Sequence, residues 1–226
     1  MVIHGSLELG VPQSMKDLPL REELIRHARA IRSRELGVGK AGNLSARVSG
    51  GFIITPTGLD YDLLEPADIT TLDPEGRLIE GKRTPSSEWR IHRDIYAQRE
   101  EAGAVVHVHS PYATALACSR RPVPAFHYMV AVAGGDSIRC ADYATFGSQE
   151  LSDNALKALD GRVACLMANH GMISLGPDLA AAFAMAVLVE DLCKQYALAT
   201  RFGEPVCLDE EEMRTILEKY KSYGKQ

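Results

Sequence analysis

The stretch from Leu44 to Ile79 constrains the fold most, because it holds four short apolar runs separated by turns rich in glycine and proline. Short runs bounded in this way are typical of β-strands, and close connections between them make neighbouring strands antiparallel. We predict strands at residues 44–48, 52–55, 69–72 and 78–79, with turns at residues 50–51, 56–58 and 74–76. At least part of the core is therefore a sheet connected by hairpins.

The rest of the chain alternates helical and strand-like segments. Helical spacing of apolar residues predicts a first helix over residues 20–31, and hydroxyl, proline or acidic residues predict later helix starts. Those helices cover residues 85–98, 110–118, 177–202 and 210–220, and further strands cover residues 104–109, 162–167 and 172–175. With no linker between them, these elements predict an α/β fold in a single layered domain over residues 20–226, in which helices flank a central, mostly antiparallel sheet. Residues 1–19 form an N-terminal extension.

Composition and charge exclude several classes of protein. The 226 residues carry a net charge of −5 without a basic block, which argues against nucleic acid as a partner. No signal peptide is recognisable, and the longest uncharged helical stretch, residues 179–189, is too short to span a bilayer, so we expect no membrane partner. The five cysteines lack CxxC spacing, and Cys118, Cys165 and Cys193 lie in apolar stretches typical of core thiols. We therefore expect a cytoplasmic protein without disulfides.

Three histidines form a candidate metal site. His107 and His109 share one face of a predicted strand, because side chains two residues apart point the same way. His170 lies before a glycine that permits a tight turn. Three imidazoles would leave a tetrahedral zinc ion with one open position, which is the arrangement of a catalytic site. The spacing leaves open that the strand histidines bind no metal and that His170 only occupies a turn.

Glu88 is the leading candidate for a general acid or base. It follows Ser86 and Ser87 at a predicted helix start, where hydroxyl groups and free N–H groups can bind an anion such as a phosphate ester. The alternative is an ordinary acidic residue that stabilises the helix dipole. The turns at residues 41–45 and 55–58 are also suited to phosphate, although each can be an ordinary turn.

Other chemistries lack support in the sequence. No lysine lies in an apolar strand, which argues against a Schiff base, and no GxSxG, GxxxxGK[ST] or GxGxxG motif is present. The remaining histidines outside residues 127–129 lie on the extension or on helix faces, where we expect them to be solvated. They are His4, His27 and His92.

Five short motifs, taken in order, resemble the class II aldolase and adducin family. They are Gly42-Asn43-Leu44-Ser45, Thr55-Pro56-Thr57-Gly58, Ser86-Ser87-Glu88, His107-Val108-His109 and Asn169-His170-Gly171. The segments at residues 127–129, 133–135 and 143–147 narrow the likeness to the subgroup that acts on L-fuculose 1-phosphate. The likeness extends from about residue 24 to Gly224. Tyr220, the short tail and the N-terminal segment depart from the subgroup and leave the aldehyde preference open.

The resemblance implies a role for each matching residue. His107, His109 and His170 match zinc ligands, and Mn²⁺ or Co²⁺ can replace zinc in such a site. Glu88 matches an acid that binds zinc in the empty site and then transfers a proton. Positions that match phosphate- and substrate-binding residues are Gly42, Asn43, Thr57, Gly58, Ser86, Ser87 and Phe146. Tyr128 matches a catalytic tyrosine from the neighbouring subunit, and Tyr223 matches a tail residue that completes the aldehyde pocket.

The resemblance also implies an activity and an assembly. The activity is zinc-dependent cleavage of a phosphorylated sugar, a ketose 1-phosphate of the L-fuculose 1-phosphate type, to dihydroxyacetone phosphate and an aldehyde such as L-lactaldehyde. The assembly is a homotetramer with active sites at subunit interfaces. Cleavage of 5-deoxyribulose or 5-methylthioribulose 1-phosphate is the first alternative, followed by ribulose-phosphate 4-epimerisation. The last is a non-catalytic, adducin-like interaction module.

Overall fold

A computed structural model describes residues 15–222 of the chain. Its α-helices are α1 (Leu18–Ser33), α2 (Trp89–Gln98), α3 (Pro111–Cys118), α4 (Gln149–Ala158), α5 (Leu179–Ala199) and α6 (Glu210–Tyr220). Its strands are β1 (Asn43–Val48), β2 (Gly51–Ile54), β3 (Thr70–Leu72), β4 (Leu78–Glu80), β5 (Ala104–Val108), β6 (Cys140–Ala141), β7 (Ala164–Met167) and β8 (Gly171–Gly176).

The eight strands form one open sheet in the order β4-β3-β2-β1-β5-β8-β7-β6. Every neighbouring pair is antiparallel except β6 and β7, which are parallel. The predicted fold class, a mostly antiparallel sheet flanked by helices, is therefore confirmed. Short turns join β1 to β2, β3 to β4 and β7 to β8, and strands connected so closely pair antiparallel.

Helices cover both faces of the sheet, and successive side chains of the central strand β5 point to opposite faces. Val106 packs in a core with apolar residues of α1, α3, α5 and α6, whereas Val105 packs in a second core with α2 and α4. Since side chains alternate along a strand, His107 faces the same side as Val105. The sheet therefore presents His107 towards α2.

Most predicted elements lie within a few residues of the observed ones, and the differences are local. Helix α1 begins at Leu18 and α5 ends at Ala199, against predicted bounds of 20 and 202. Helix α4 and strand β6 are absent from the prediction. The buried face of α4 consists of Leu151, Ser152, Ala155 and Ala158. It holds a single large apolar side chain, so a search for recurring large apolar residues does not find this helix. Residues 1–14 of the predicted extension lie outside the described residues.

The cysteines and the longest helices test two further expectations. All five cysteines are free, and Cys165 and Cys193 are buried as predicted. The expectation of a core position is wrong for Cys118, which is exposed because it lies in the last turn of α3. Within residues 15–222, no helix combines the length and the apolar character needed to cross a membrane.

Candidate metal centre

His107 lies at the centre of the sheet and is fully buried. It is the cross-strand partner of Asn43 on β1 and of Ile173 on β8. Its Nδ1 lies 2.8 Å from the carbonyl oxygen of Met172. Because a carbonyl can only accept, Nδ1 carries the donated hydrogen, and Nε2 is directed away from that bond. A hydrogen bond that fixes the far nitrogen in this way is typical of metal-binding histidines.

His109 and His170 bring two more imidazoles to the same point. The Nε2 atoms of His107 and His109 are 3.0 Å apart, and the three ring centroids are 4.8–4.9 Å from one another. The preceding Asn169 has φ 55°, a left-handed conformation that asparagine tolerates better than most residues. Gly171 is required by close contact, since a Cβ there would lie 2.5 Å from the Val108 oxygen and 2.9 Å from the His109 ring.

Glu88 completes the cluster from the N-terminus of α2. One carboxylate oxygen, Oε2, lies 3.1 Å from His107 Nε2, and the other, Oε1, lies 3.3 Å from His170 Nε2. The carboxylate is buried and makes no hydrogen bond to the free N–H groups of its own helix. The alternative of an ordinary dipole-stabilising acid therefore does not describe this residue, because its charge is directed at the histidines.

The pKa shifts in the cluster favour an ionised carboxylate beside two neutral imidazoles, which is the protonation state that binds a cation. Burial alone would raise the pKa of Glu88, but His107, His170 and the Asn43 amide together lower it well below its usual range. Burial opposes a charge on His107, yet the Glu88 carboxylate raises the pKa of this ring. Burial, reinforced by His107, lowers the pKa of both His109 and His170 to about 4. These two imidazoles are neutral at neutral pH and each keeps a nitrogen lone pair for a metal.

These residues fit a divalent transition-metal ion. One ligand atom from each of Glu88, His107, His109 and His170 lies within 4.8 Å of the other three. Glu88 Oε1 is buried without a hydrogen-bond partner, as expected for an oxygen that is directed at a cation. Imidazole nitrogens with one carboxylate are a ligand set suited to zinc and related ions.

The cluster opens into a cavity of about 460 Å³. All seven residues predicted to bind substrate line it, together with Glu88, His109 and His170. The segments at residues 55–57 and 84–86 lie side by side. The Thr57 N–H donates to Thr84 O (3.0 Å), and the Ser86 N–H donates to Thr55 O (3.1 Å). Six further residues line the cavity without having been assigned a role, namely Lys40, Ala41, Pro56, Tyr143, Ala144 and Asn169. Only Lys40 lies outside every motif identified in the sequence, and it directly precedes the predicted phosphate turn at residues 41–45.

Gly42 shows why the turn before β1 cannot carry a side chain. Its φ is +89°, and a Cβ there would lie 2.5 Å from the carbonyl oxygen of His107. The Tyr61 hydroxyl donates to the Gly42 carbonyl at 2.6 Å, which fixes the turn from its other side. The turn therefore lies directly against the metal-binding strand.

One predicted site residue in the described part of the chain, Tyr128, lies away from the metal cluster and this cavity. Tyr128 is 51% exposed and lies on a separate apolar groove with Phe126 and Met129. Tyr223 lies outside the described residues. Of the residues predicted to act together, the structure thus brings the metal and phosphate candidates to one place and leaves Tyr128 apart.

The expectation that His92 is solvated is wrong. Its side chain is 0% exposed, on the face of α2 that packs against β1. Its Nε2 lies 2.5 Å from Asn43 Oδ1, and its Nδ1 lies 2.6 Å from Ser45 Oγ. His92 lies one helical turn after Glu88. The strand that covers it, β1, is more than forty residues away in the sequence, so the local pattern does not reveal its burial.

Comparison with known proteins agrees with this site. Residues 22–197 match the family described as "Class II Aldolase and Adducin N-terminal domain". The chain belongs to the class II aldolase and adducin family. Class II aldolases are metal-dependent lyases, and this chain is an enzyme of that type, with a glutamate and three histidines able to bind the metal.

Individual members of the family are similar over nearly the whole chain. A 5-methylthioribulose-1-phosphate/5-deoxyribulose-1-phosphate aldolase of Rhodospirillum rubrum is 53% identical over 207 residues, which cover 92% of this chain and 93% of that protein. An L-fuculose phosphate aldolase of Escherichia coli is 46% identical, over 84% of this chain and 88% of that protein. The solved structure of an L-fuculose 1-phosphate aldolase superposes with a TM-score of 0.88 at 44% identity, over 92% of this chain and 98% of that one.

Proposed function

We propose that this class II aldolase is a zinc enzyme that cleaves a ketose 1-phosphate into dihydroxyacetone phosphate and an aldehyde. The observation that carries the proposal is the convergence of Glu88 and three histidines at the wall of a cavity whose outer part is lined by hydroxyl and amide donors. Such donors suit a phosphate group, and the histidines suit the metal. In this proposal the ligands are His107, His109 and His170, with Glu88 as a fourth ligand before substrate binds.

The proposed reaction assigns one task to each group of residues. Thr57, Gly58, Ser86 and Ser87 bind the phosphate through hydroxyl and backbone N–H groups, and Asn43 lies between them and the metal ligands. Bound zinc supplies a Lewis acid that polarises the ketone. As the C3–C4 bond breaks, the C4 hydroxyl loses its proton and becomes the aldehyde. Glu88, which would take up a proton from solvent once substrate has displaced it from the metal, then delivers that proton to C3 and yields dihydroxyacetone phosphate.

We further propose that Tyr128 removes the C4 hydroxyl proton in the site of a neighbouring copy. Tyr128 does not line the cavity of its own chain, and it lies exposed beside an apolar groove formed with α5 and α6. Exposed apolar surface of this kind is typical of an interface. The proposed assembly is the homotetramer that the family resemblance implies, and the proposed location is the cytoplasm.

The physiological substrate has three candidates, which two relatives of this chain suggest. Similarity to the Rhodospirillum rubrum enzyme favours 5-methylthioribulose or 5-deoxyribulose 1-phosphate, and similarity to the Escherichia coli enzyme favours L-fuculose 1-phosphate. These substrates share the phosphate end and differ at the aldehyde end. Phe146, which lines the cavity, and Tyr223 are the residues proposed to distinguish them. A comparison of kcat/KM for these three substrates and rhamnulose 1-phosphate, in wild type, Phe146→Leu and Tyr223→Phe, tests this assignment.

Removal of the metal tests the core of the proposal. His109→Ala removes one of three imidazole ligands, so both bound zinc and aldolase activity should be lost while the circular dichroism spectrum stays unchanged. His27→Ala, a half-buried histidine on α1, is the matched control and should keep both. Metal content is measured by elemental analysis, and release of dihydroxyacetone phosphate by a coupled assay. Full activity in chelator-treated, metal-free protein contradicts the proposal.

A further inference from the structure

Five buried polar groups lie in an unbroken row between α2 and β1. Asn43 Nδ2 lies 3.0 Å from Glu88 Oε2, and Asn43 Oδ1 lies 2.5 Å from His92 Nε2. The row continues from His92 Nδ1 to Ser45 Oγ at 2.6 Å and from Ser45 Oγ to the Tyr96 hydroxyl at 2.7 Å. All five side chains are buried, so they satisfy one another's hydrogen bonds within the protein.

The spacing of helix and strand explains why this row exists. Glu88, His92 and Tyr96 are four residues apart on α2, which separates them by about 6 Å along the helix axis. Asn43 and Ser45 are two residues apart on β1, which separates them by about 6.6 Å on one face of the sheet. The two repeats match, so the side chains of the strand insert between those of the helix.

In only one assignment of donors and acceptors does each of the five side chains in this row form its hydrogen bonds. The Glu88 carboxylate can only accept, so Asn43 presents its NH₂ group to Glu88 and its carbonyl oxygen to His92. His92 Nε2 must then carry a hydrogen and donate it. Burial keeps the pKa of His92 at about 3, so the ring is neutral and Nδ1 accepts from the Ser45 hydroxyl. Ser45 in turn accepts from Tyr96, and every donor is directed towards Glu88.

We propose that His92 is a positioning residue for the aldol reaction, because its Nε2–H holds the Asn43 amide in the one orientation that places a donor on Glu88 Oε2. Without that bond the amide can rotate and present its oxygen to the carboxylate, which removes a hydrogen bond and adds repulsion. His92 touches neither the metal nor the substrate site and acts only through Asn43. This inference rests on the proposed role of Glu88 in proton transfer.

The test compares variants that remove or retain the hydrogen-bond donor at position 92. His92→Leu removes the donor, and His92→Gln retains an N–H that can reach Asn43. Loss of a hydrogen bond behind a metal ligand typically costs roughly 10- to 100-fold in metal affinity or activity. We expect a loss of that size in zinc affinity and in kcat for His92→Leu, with recovery of both in His92→Gln. Tyr96→Phe is the matched control on the same helix and should be close to wild type, because Ser45 still donates to His92.

Nitrogen-15 NMR of the histidine rings provides a readout that needs no turnover. His92 should be the Nε2–H tautomer, with an unprotonated Nδ1, in both metal-free and zinc-loaded protein. The opposite tautomer overturns the proposal, and so does an equal loss of zinc affinity in the Leu and Gln variants, which would indicate a packing role only. If wild type cleaves no ketose 1-phosphate, the proposed function fails, but the tautomer and the zinc affinities still decide the role of His92. If His92→Leu does not fold, the tautomer and the Gln and Phe variants decide it.

Discussion

Glu88 shows at the residue scale how position gives a common side chain its chemistry. A glutamate at a helix start is ordinary, but here the carboxylate lies 3.1 Å from His107 Nε2 and accepts a hydrogen bond from Asn43. These neighbours lower its pKa and keep it ionised without a metal. A carboxylate that gives up its metal bond to substrate inside such a site is free to accept and return a proton.

Replacing Glu88 by glutamine should separate metal binding from proton transfer. The carboxamide has nearly the same size but cannot carry a proton, so Glu88→Gln should retain zinc through the three histidines. Exchange of the C3 hydrogen of dihydroxyacetone phosphate with deuterated water should fall about 10²–10⁴-fold, the usual contribution of general acid–base catalysis. Glu22→Gln, at an exposed position of α1, should leave exchange unchanged. Exchange near the wild-type rate in Glu88→Gln would identify another residue as the base.

Lys40 is the cation beside the proposed phosphate site. It lines the cavity two residues before Gly42 and is exposed, so its charge is screened by solvent. Lys40→Gln should raise KM for the ketose 1-phosphate by roughly two- to fivefold, in keeping with the weak coupling of exposed charges. The effect should shrink as salt is added. Lys82→Gln, an exposed lysine that does not line the cavity, is the control. A salt-independent KM equal to that of wild type would show that Lys40 makes no phosphate contact.

At the scale of elements, the contact between α2 and β1 joins the catalytic acid to the sheet. Helix α2 supplies Glu88, His92 and Tyr96 from one face, and β1 supplies Asn43 and Ser45. A buried polar interface is stable only when its members are satisfied, because each unpaired group would retain its desolvation cost. Protonation of His92 would break this condition, so the interface should be sensitive to acid.

The pH dependence of stability should report the burial of His92. Its pKa is lowered from 6.5 to about 3 on folding, so between these values the unfolded chain binds a proton that the folded chain does not. Stability therefore rises with pH in this window and is lost as pH falls below about 6.5. Between pH 7 and pH 5, metal-free wild type should lose about 2 kcal/mol more than metal-free His92→Gln. Urea unfolding at both pH values measures this difference, and parallel losses in the two proteins would contradict it.

At the scale of the whole molecule, the metal centre and Tyr128 belong to different surfaces of one chain. The cavity beside the metal ligands and the groove formed by Tyr128, Phe126, Met129 and α6 share no lining residue. If Tyr128 acts in catalysis, it must therefore reach the cavity of another copy. On the proposed role of Tyr128, the active site would be complete only in an assembly of copies.

Mixed assemblies should show this directly. His109→Ala and Tyr128→Phe should each be nearly inactive alone, because one lacks the metal ligand and the other lacks the proposed proton acceptor. When the two are unfolded, mixed and refolded together, sites that combine an intact metal centre with an intact Tyr128 should restore part of the activity. Light scattering should give a tetramer throughout. Absence of any recovery in a mixed tetramer would place Tyr128 and His109 in the same chain's site or remove Tyr128 from catalysis.

The sequence by itself determined the elements whose signals are local. Alternation along a strand placed His107 and His109 on one face, and short turns predicted the antiparallel pairs β1–β2 and β3–β4. All the residues that line the cavity except Lys40 lie in short motifs of the sequence. These features depend on the backbone geometry of a few consecutive residues, which the residue types themselves restrict.

Only the tertiary structure decided which distant elements meet. The burial of His92 depends on β1 lying over α2, and the mostly polar α4 is held by packing against α2. The position of Glu88 depends on His107 approaching from β5 and on His170 approaching from the turn between β7 and β8. Each of these facts is an outcome of long-range packing, in which a side chain's environment is set by residues far away along the chain. The periodicity of a single segment carries no information about that partner, so a histidine on a helix looks the same whether water or a buried strand will cover it.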